Sequence, residues 1–126
     1  MVGKICLDTS FIVELLRGSE HAAAVIKENE AEYALSSVTV FELLIGSRND
    51  DRLLGGIRGF ILLDFDCEAA KIAAGIYRKL KEQGKLVDMR DVFVAAVCIK
   101  NDFELLTLNK KHFDRLKEFG LRLAWF

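Results

Sequence analysis

Proline is absent from the 126 residues, and both cysteine and long hydrophobic runs are scarce. A chain that is 52% hydrophobic and 29% charged, with no proline, lacks the composition of a disordered or linker-rich protein. Its longest stretch without a charged residue, residues 33–41, has nine residues, whereas a membrane helix needs about 20 apolar residues. We therefore expect one folded domain over residues 1–126, without a membrane segment and located in the cytoplasm.

The three cysteines and the charge balance also exclude several classes of site. Cys6, Cys67 and Cys98 are widely spaced and odd in number, unlike a C-x-x-C zinc site or a secreted disulfide framework. We expect all three to be buried thiols. Since 18 Lys and Arg residues face 19 Asp and Glu residues, for a net charge of −1, no overall positive field indicates a nucleic-acid partner, and any such binding would depend on local patches.

Short apolar runs alternate with helical patterns along the whole chain. The runs predict strands at residues 4–7, 33–35, 60–63, 104–108 and 121–126. The helical patterns cover residues 11–16, 19–30, 67–82, 91–100 and 110–119, together with a helix that Ser36 or Ser37 caps and that ends near Gly46. Residues 50–58 have no clear pattern. This alternation predicts an α/β fold with a mostly parallel sheet covered by helices on both faces.

Four polar residues occupy the positions where such a sheet places its ligands, beyond the carboxyl ends of the strands. Asp8 and Asn109 each follow a strand and precede a helix, Asp91 opens an apolar helix, and Glu42 is the one charge in the apolar stretch 33–46. Taken singly, Asp8 and Asn109 also suit helix caps. An enclosed Glu42 requires a partner, which can be a cation or an arginine.

Together these residues offer three carboxylates and one amide, the oxygen ligands that Mg²⁺ or Mn²⁺ prefers. Asp88, three residues before Asp91, is positioned to join them. By contrast, several phenylalanines fall on apolar faces, where we expect them in the core rather than on nucleobases. They are Phe11, Phe41, Phe93 and Phe113.

The segments that carry these residues resemble the four signature segments of the PIN-domain family, and within it the VapC-type toxin ribonucleases of toxin–antitoxin pairs. The segments are Leu-Asp-Thr-Ser around Asp8, the isolated Glu42, the helix start Asp91-Val-Phe-Val-Ala-Ala, and Leu-Thr-Leu-Asn ending at Asn109. The resemblance implies a three-layer α/β/α sandwich with a short, mostly parallel sheet. It also implies a Mg²⁺- or Mn²⁺-dependent endoribonuclease, either a toxin or a housekeeping RNA-processing nuclease of the same fold.

The same resemblance assigns roles to individual residues. Asp8, Glu42 and Asp91 match the acidic metal-binding positions, and Asn109 matches a fourth catalytic position where a carboxylate is often found. The alternative acidic position, three residues further on, is His112 here, so the resemblance leaves open one ion or two. Ser10 and Thr107, with Asp88, are expected to orient the ligands or water.

RNA as substrate and protein partners also follow from the resemblance. Basic residues close in sequence to the four positions are candidate RNA contacts, although each also suits a solvated surface: Arg17, Arg48, Arg90, Lys110 and Lys111. The family further implies a cognate antitoxin and a homodimer built from the N-terminal helices. The apolar stretch 22–26 suits either such an interface or the core.

Two other classes remain open from the residues alone. A receiver-like signalling domain would need an acidic pair after the first strand, a phosphate-accepting Asp after the third and a Lys after the fifth, and Asp8 supplies only one of the first pair. A catalytically silent RNA-binding domain of the same fold is the second possibility, and Asn109 is compatible with it.

Overall fold

In the computed structural model, which describes residues 2–126, four strands and eight helices alternate along the chain. In chain order they are β1 (Gly3–Leu7), α1 (Thr9–Leu16), α2 (Glu20–Glu28), β2 (Ala31–Ser36), α3 (Ser37–Ile45), α4 (Asp50–Gly56), β3 (Ile61–Leu63), α5 (Cys67–Glu82), α6 (Met89–Asn101), β4 (Glu104–Leu106), α7 (Lys110–Phe113) and a 3-10 helix (Asp114–Phe119). None of these helices combines the length and apolarity needed to cross a membrane.

The sheet is parallel throughout, and its strand order is β3-β2-β1-β4. β1 lies between β2 and β4, with Cys6 opposite Ala34 on one side and Leu105 on the other. Because the strands are parallel, their carboxyl ends meet at one edge of the sheet. The residues that follow β1 and β4, and the start of α3 directly after β2, are therefore brought together at that edge.

Side chains of each strand alternate between two apolar clusters, one on each face of the sheet. Cys6 and Leu105 point into the cluster that contains the buried faces of α5 and α6. Leu7 and Leu106 point into the other cluster, with Phe11 and further residues of α1 and α2. Helices cover both faces, so the predicted three-layer α/β/α fold is confirmed.

The chain after β4 departs most from the sequence prediction. The strand predicted at residues 121–126 is wrong, because Leu123 forms only an isolated bridge with Leu105. The backbone N–H of Ala124 donates to the Leu105 carbonyl, and that of Leu105 donates to the carbonyl of Arg122. β4 itself ends at Leu106 and offers only a short edge for pairing. The predicted helix 110–119 is one α-helical turn that continues as a 3-10 helix.

Two predictions of burial are also wrong. Phe41 is 59% exposed, since α3 buries Thr39 and Leu43, four residues apart, and Phe41 midway between them lies on the opposite face. Cys67 is exposed because it precedes the buried stripe of α5 that begins at Ala69. The unassigned residues 50–58 contain α4, which the side chain of Asn49 caps.

Candidate active site

A cavity of about 270 Å³ lies at the carboxyl edge of the sheet. Its lining includes Asp8, Glu42, Asp91 and Asn109, the four positions predicted from the sequence, and Asp88. Thr9, Ser10, Arg90, Val94 and His112 complete the lining. Residues more than 90 positions apart in the chain thus share one cavity.

Asp8 is buried and its carboxylate is held by two hydroxyl groups. Thr107 Oγ1 donates to Asp8 Oδ2 at 2.7 Å, and Ser10 Oγ donates to the same oxygen at 3.1 Å. Asp8 stands at the N-cap position of α1, yet its side chain caps no backbone N–H there. Asp8 is therefore a helix cap by position only, and its carboxylate lines the cavity instead of bonding to the first turn of α1.

Asp91 lies in the first turn of α6 beside two other carboxylates. The helix cap is Asp88, whose Oδ1 accepts a hydrogen bond from the Arg90 backbone N–H at 2.9 Å. Burial, followed by the nearby charges of Asp88 and Asp8, raises the pKa of Asp91 from its ordinary 3.8 to about 6. His112 Nδ1 lies 3.9 Å from Asp91 Oδ2, and the charges of His112 and Arg90 offset this rise in pKa only in part. Negative charge on this side of the cavity is thus in excess.

Glu42 is held by a hydroxyl group and by an arginine. Thr9 Oγ1 donates to Glu42 Oε1 at 2.8 Å, and Arg90 Nη1 donates to Oε2. The same guanidinium bonds to Asp88 Oδ2 at 2.9 Å, and these two carboxylates raise the pKa of Arg90. Of the two partners open to Glu42, cation or arginine, the structure contains the arginine. Glu42 therefore lines the cavity as a carboxylate paired with Arg90, and its role as a metal ligand stays a prediction.

Asn109 precedes α7 and its side chain makes no capping bond there. Its backbone N–H donates to Thr107 Oγ1 at 3.0 Å, which ties it to the hydroxyl group that binds Asp8. Asn109, like Asp8, is therefore a helix cap by position only. The cavity therefore has a neutral amide after β4 in addition to the carboxylates at the start of α6.

The donor set fits a hard cation that retains much of its water. Within residues 2–126, no three acidic, histidine or cysteine side chains are arranged to hold a metal by themselves. Mg²⁺ commonly binds proteins through one or two carboxylates and fills its remaining positions with water and substrate phosphate. Asp8 and Asp91 match this requirement, with the Asn109 amide as a further oxygen donor.

The predicted basic residues occupy different places around the cavity. Arg90 lines it, whereas Arg17 is 74% exposed beside Glu14 and Arg48 lines a separate groove. Lys111 lines an adjoining cavity of about 310 Å³ that also includes Asp88 and Asp91.

Two residues near the site were not predicted from the sequence. Arg115 lines the adjoining cavity, and its four-residue spacing from Lys111 in a helical segment was the available signal. Thr9 donates a hydrogen bond to Glu42, and its available signal was a hydroxyl side chain directly after a strand-end Asp.

Residues 5–118 match the family model of the PIN domain. The chain belongs to the PIN-domain family. It is 33% identical over 123 residues to Ribonuclease VapC1 of Methanocaldococcus jannaschii, covering 95% of this chain and 86% of that protein. It is also 33% identical over 116 residues to Ribonuclease VapC19 of Mycobacterium tuberculosis, covering 85% and 90%. A chain in the crystal structure of DNA-bound VapBC from Salmonella typhimurium superposes with a TM-score of 0.80 at 26% identity over 98% of each chain. The resemblance seen in the sequence is confirmed.

The PIN-domain topology excludes the receiver-like alternative. Asp64 follows β3, where that alternative needs its phosphate-accepting Asp. However, β3 is the edge strand and β2 separates it from β1, so Asp64 cannot join Asp8 in one site.

Proposed function

We propose that this PIN domain is a Mg²⁺- or Mn²⁺-dependent endoribonuclease, and that it acts as the toxin of a VapBC-type pair. One observation carries the proposal: Asp8, directly after β1, and Asp91, in α6, share a cavity in which His112 and Arg90 offset only part of the negative charge around Asp91. The ribonucleases to which the chain is 33% identical support RNA as the substrate. We further propose that residues 1–126 form a single domain.

Asp8 and Asp91 would hold the cation, with Asn109 as a neutral donor. A bound divalent cation lowers the pKa of a water molecule and offsets negative charge on the phosphodiester. One firmly held ion is favoured over two, because Asn109 contributes no charge and Glu42 is bonded to Arg90.

The remaining side chains position ligands and substrate. Thr107 and Ser10 fix the Asp8 carboxylate through their hydroxyl groups. Glu42 and Asp88 hold the Arg90 guanidinium from two sides. A guanidinium that is oriented in advance binds a phosphate oxygen at lower entropic cost, so we assign Arg90 to the substrate backbone. Lys111 and Arg115 would bind a neighbouring phosphate.

Incubation with labelled single-stranded RNA tests the proposal directly. Cleavage is expected with Mg²⁺ or Mn²⁺, and none in EDTA or with the Asp8→Asn variant. Internal products would identify an endonuclease, and a DNA oligonucleotide of the same sequence measures the preference for RNA. Undiminished cleavage in EDTA, or by Asp8→Asn, would contradict the assignment. Binding without cleavage under every condition would favour the catalytically silent RNA-binding domain.

The toxin assignment requires a cognate antitoxin in the same cytoplasm. The VapBC complex of similar fold supports such a partner. Expression of the chain alone should arrest growth, and co-expression of a small DNA-binding protein encoded next to it should relieve the arrest. Growth that is unaffected by an active nuclease would favour the housekeeping alternative.

We also propose a homodimer. Ala22 and Val25 are buried in the core of the protomer, while Ala23 between them is exposed. The stretch 22–26 therefore has only part of its apolar surface available for an interface. Light scattering coupled to size-exclusion chromatography measures the mass, and a monomer at micromolar concentration would contradict the dimer.

A further inference from the structure

Two large aromatic side chains lie exposed beside the candidate active site. Trp125 is 66% exposed and Phe126 is 52% exposed. They directly follow Ala124, whose backbone N–H is bonded to β4. Tryptophan is highly buried on average in folded proteins, and a large exposed apolar patch commonly marks a binding surface. These two rings are therefore candidates for contact with a ligand.

A lysine connects this pair to the catalytic cavity. Lys110 Nζ lies 3.4 Å from the centroid of the Trp125 ring, a cation–π contact. Lys110 directly follows Asn109, which lines the catalytic cavity. The ammonium group covers part of one ring face, and the exposure of Trp125 leaves a large area for stacking.

Another cavity, of about 260 Å³, lies beside these residues. Lys110 and Phe126 line it, together with Thr107, whose hydroxyl group binds Asp8. The backbone N–H of Leu108, another lining residue, donates to Ser10 Oγ at 3.2 Å. The loop between β4 and α7 thus forms the boundary between the two cavities, and a chain molecule crossing this loop would touch both.

We propose that Trp125 stacks on an unpaired nucleobase of single-stranded RNA whose neighbouring phosphate lies in the catalytic cavity. Recognition of single-stranded nucleic acid combines aromatic rings for the bases with cations for the backbone, and Trp125 and Lys110 provide this combination. A protein surface of the same apolar character is the competing occupant. The cationic Lys110 beside both rings favours a polyanion. This inference rests on the proposed nuclease function and specifies where its substrate lies.

The single tryptophan of the chain makes the test specific, because all indole fluorescence comes from Trp125. The Asp8→Asn variant, in EDTA, is titrated with a short single-stranded oligoribonucleotide, and quenching of the indole is expected. Introducing Trp125→Ala should weaken binding, measured by anisotropy of a labelled RNA, by about 5- to 150-fold. Trp125→Phe should recover most of the affinity. Tyr77→Ala removes an exposed aromatic ring of α5 and should leave the affinity unchanged.

RNA with abasic positions separates stacking from backbone binding. Trp125→Ala should have little effect on the binding of abasic RNA; an equal loss for both RNAs would overturn the proposal. Saturation with RNA without any change in indole fluorescence would also overturn it. A shift in the oligomeric state of Trp125→Ala, with RNA affinity retained, would assign the rings to a protein interface. Since binding is measured without cleavage, quenching in a protein that never cleaves RNA would refute the nuclease and leave the stacking site standing.

Discussion

The two sides of the catalytic cavity hold similar carboxylates in different electrostatic states. On one side, burial and the charges of Asp88 and Asp8 raise the pKa of Asp91 to about 6. On the other, Glu42 and Asp88 share the Arg90 guanidinium, and the hydrogen bond from Arg90 lowers the pKa of Asp88. A structural ion-pair cluster and a candidate metal site can therefore contain similar carboxylates. They differ in how far a cation of the protein offsets the negative charge of those carboxylates.

Loss of Asp8 should have the largest effect on cleavage, because its carboxylate is buried and shares the cavity with Asp91. Asp8→Asn keeps the shape of the side chain and should lower RNA cleavage by about 100-fold or more. Cleavage rates at saturating Mg²⁺ measure this. Asp64→Asn, a strand-end Asp after the edge strand β3, is the matched control and should retain full activity. If Asp8→Asn and Asp64→Asn behave alike, the cation does not depend on Asp8.

Divalent cations should stabilise the fold through Asp8 and Asp91, whose surroundings offset their negative charge only in part. At a Mg²⁺ or Mn²⁺ concentration about 100-fold above the dissociation constant, the free energy of unfolding should rise by about 2.7 kcal/mol. Asp91→Asn should abolish most of this gain, whereas Glu42→Gln should keep it since Glu42 is bonded to Arg90. Thermal unfolding with and without the cation measures the gain. Equal losses in the two variants would place Glu42 among the ligands.

The raised pKa of Asp91 predicts a pH dependence in metal-free protein. Because the folded-state value of about 6 exceeds the ordinary 3.8, the folded state binds this proton more tightly. The resulting stabilisation is complete below about pH 3.9 and is lost as the pH rises through 6. Relative to wild type, Asp91→Asn should therefore gain on the order of 2 kcal/mol of unfolding free energy between pH 4 and pH 7.5. Urea unfolding in EDTA tests this, and a constant difference across the range would refute it.

Substitution of Arg90, the cation that pairs with Glu42 and Asp88, should lower RNA cleavage less than the loss of Asp8 does. Arg90→Gln should reduce cleavage by about 3- to 10-fold, as expected for the loss of one charge-assisted contact with phosphate. Arg17→Ala removes a guanidinium that is 74% exposed and lies outside the cavity, and should change the rate by less than about 2-fold. A larger loss for Arg17→Ala than for Arg90→Gln would reverse the assignment of the substrate path.

Local sequence patterns predicted much of the fold because strands and helices have different hydrophobic periods. The strand ends that carry Asp8 and Asn109 followed from short apolar runs, and the carboxyl-edge rule then predicted that they share a site. Prediction failed where tertiary packing decides which face of a helix is buried, or how far a strand pairs with its neighbour. Phe41 and Cys67 are exposed because of which faces of α3 and α5 are buried, and residues 121–126 form no strand since β4 is short.

The sequence by itself thus determined two features. One is the layered α/β fold, and the other is the set of oxygen-bearing side chains at the edge where the strands end. Tertiary structure alone decided the partner of Glu42, an arginine 48 positions away. It alone placed Lys110 over Trp125 as well. The physical reason is that hydrophobic periodicity is a local property, whereas the compensation of a charge depends on whichever group the folded chain brings within a few ångströms.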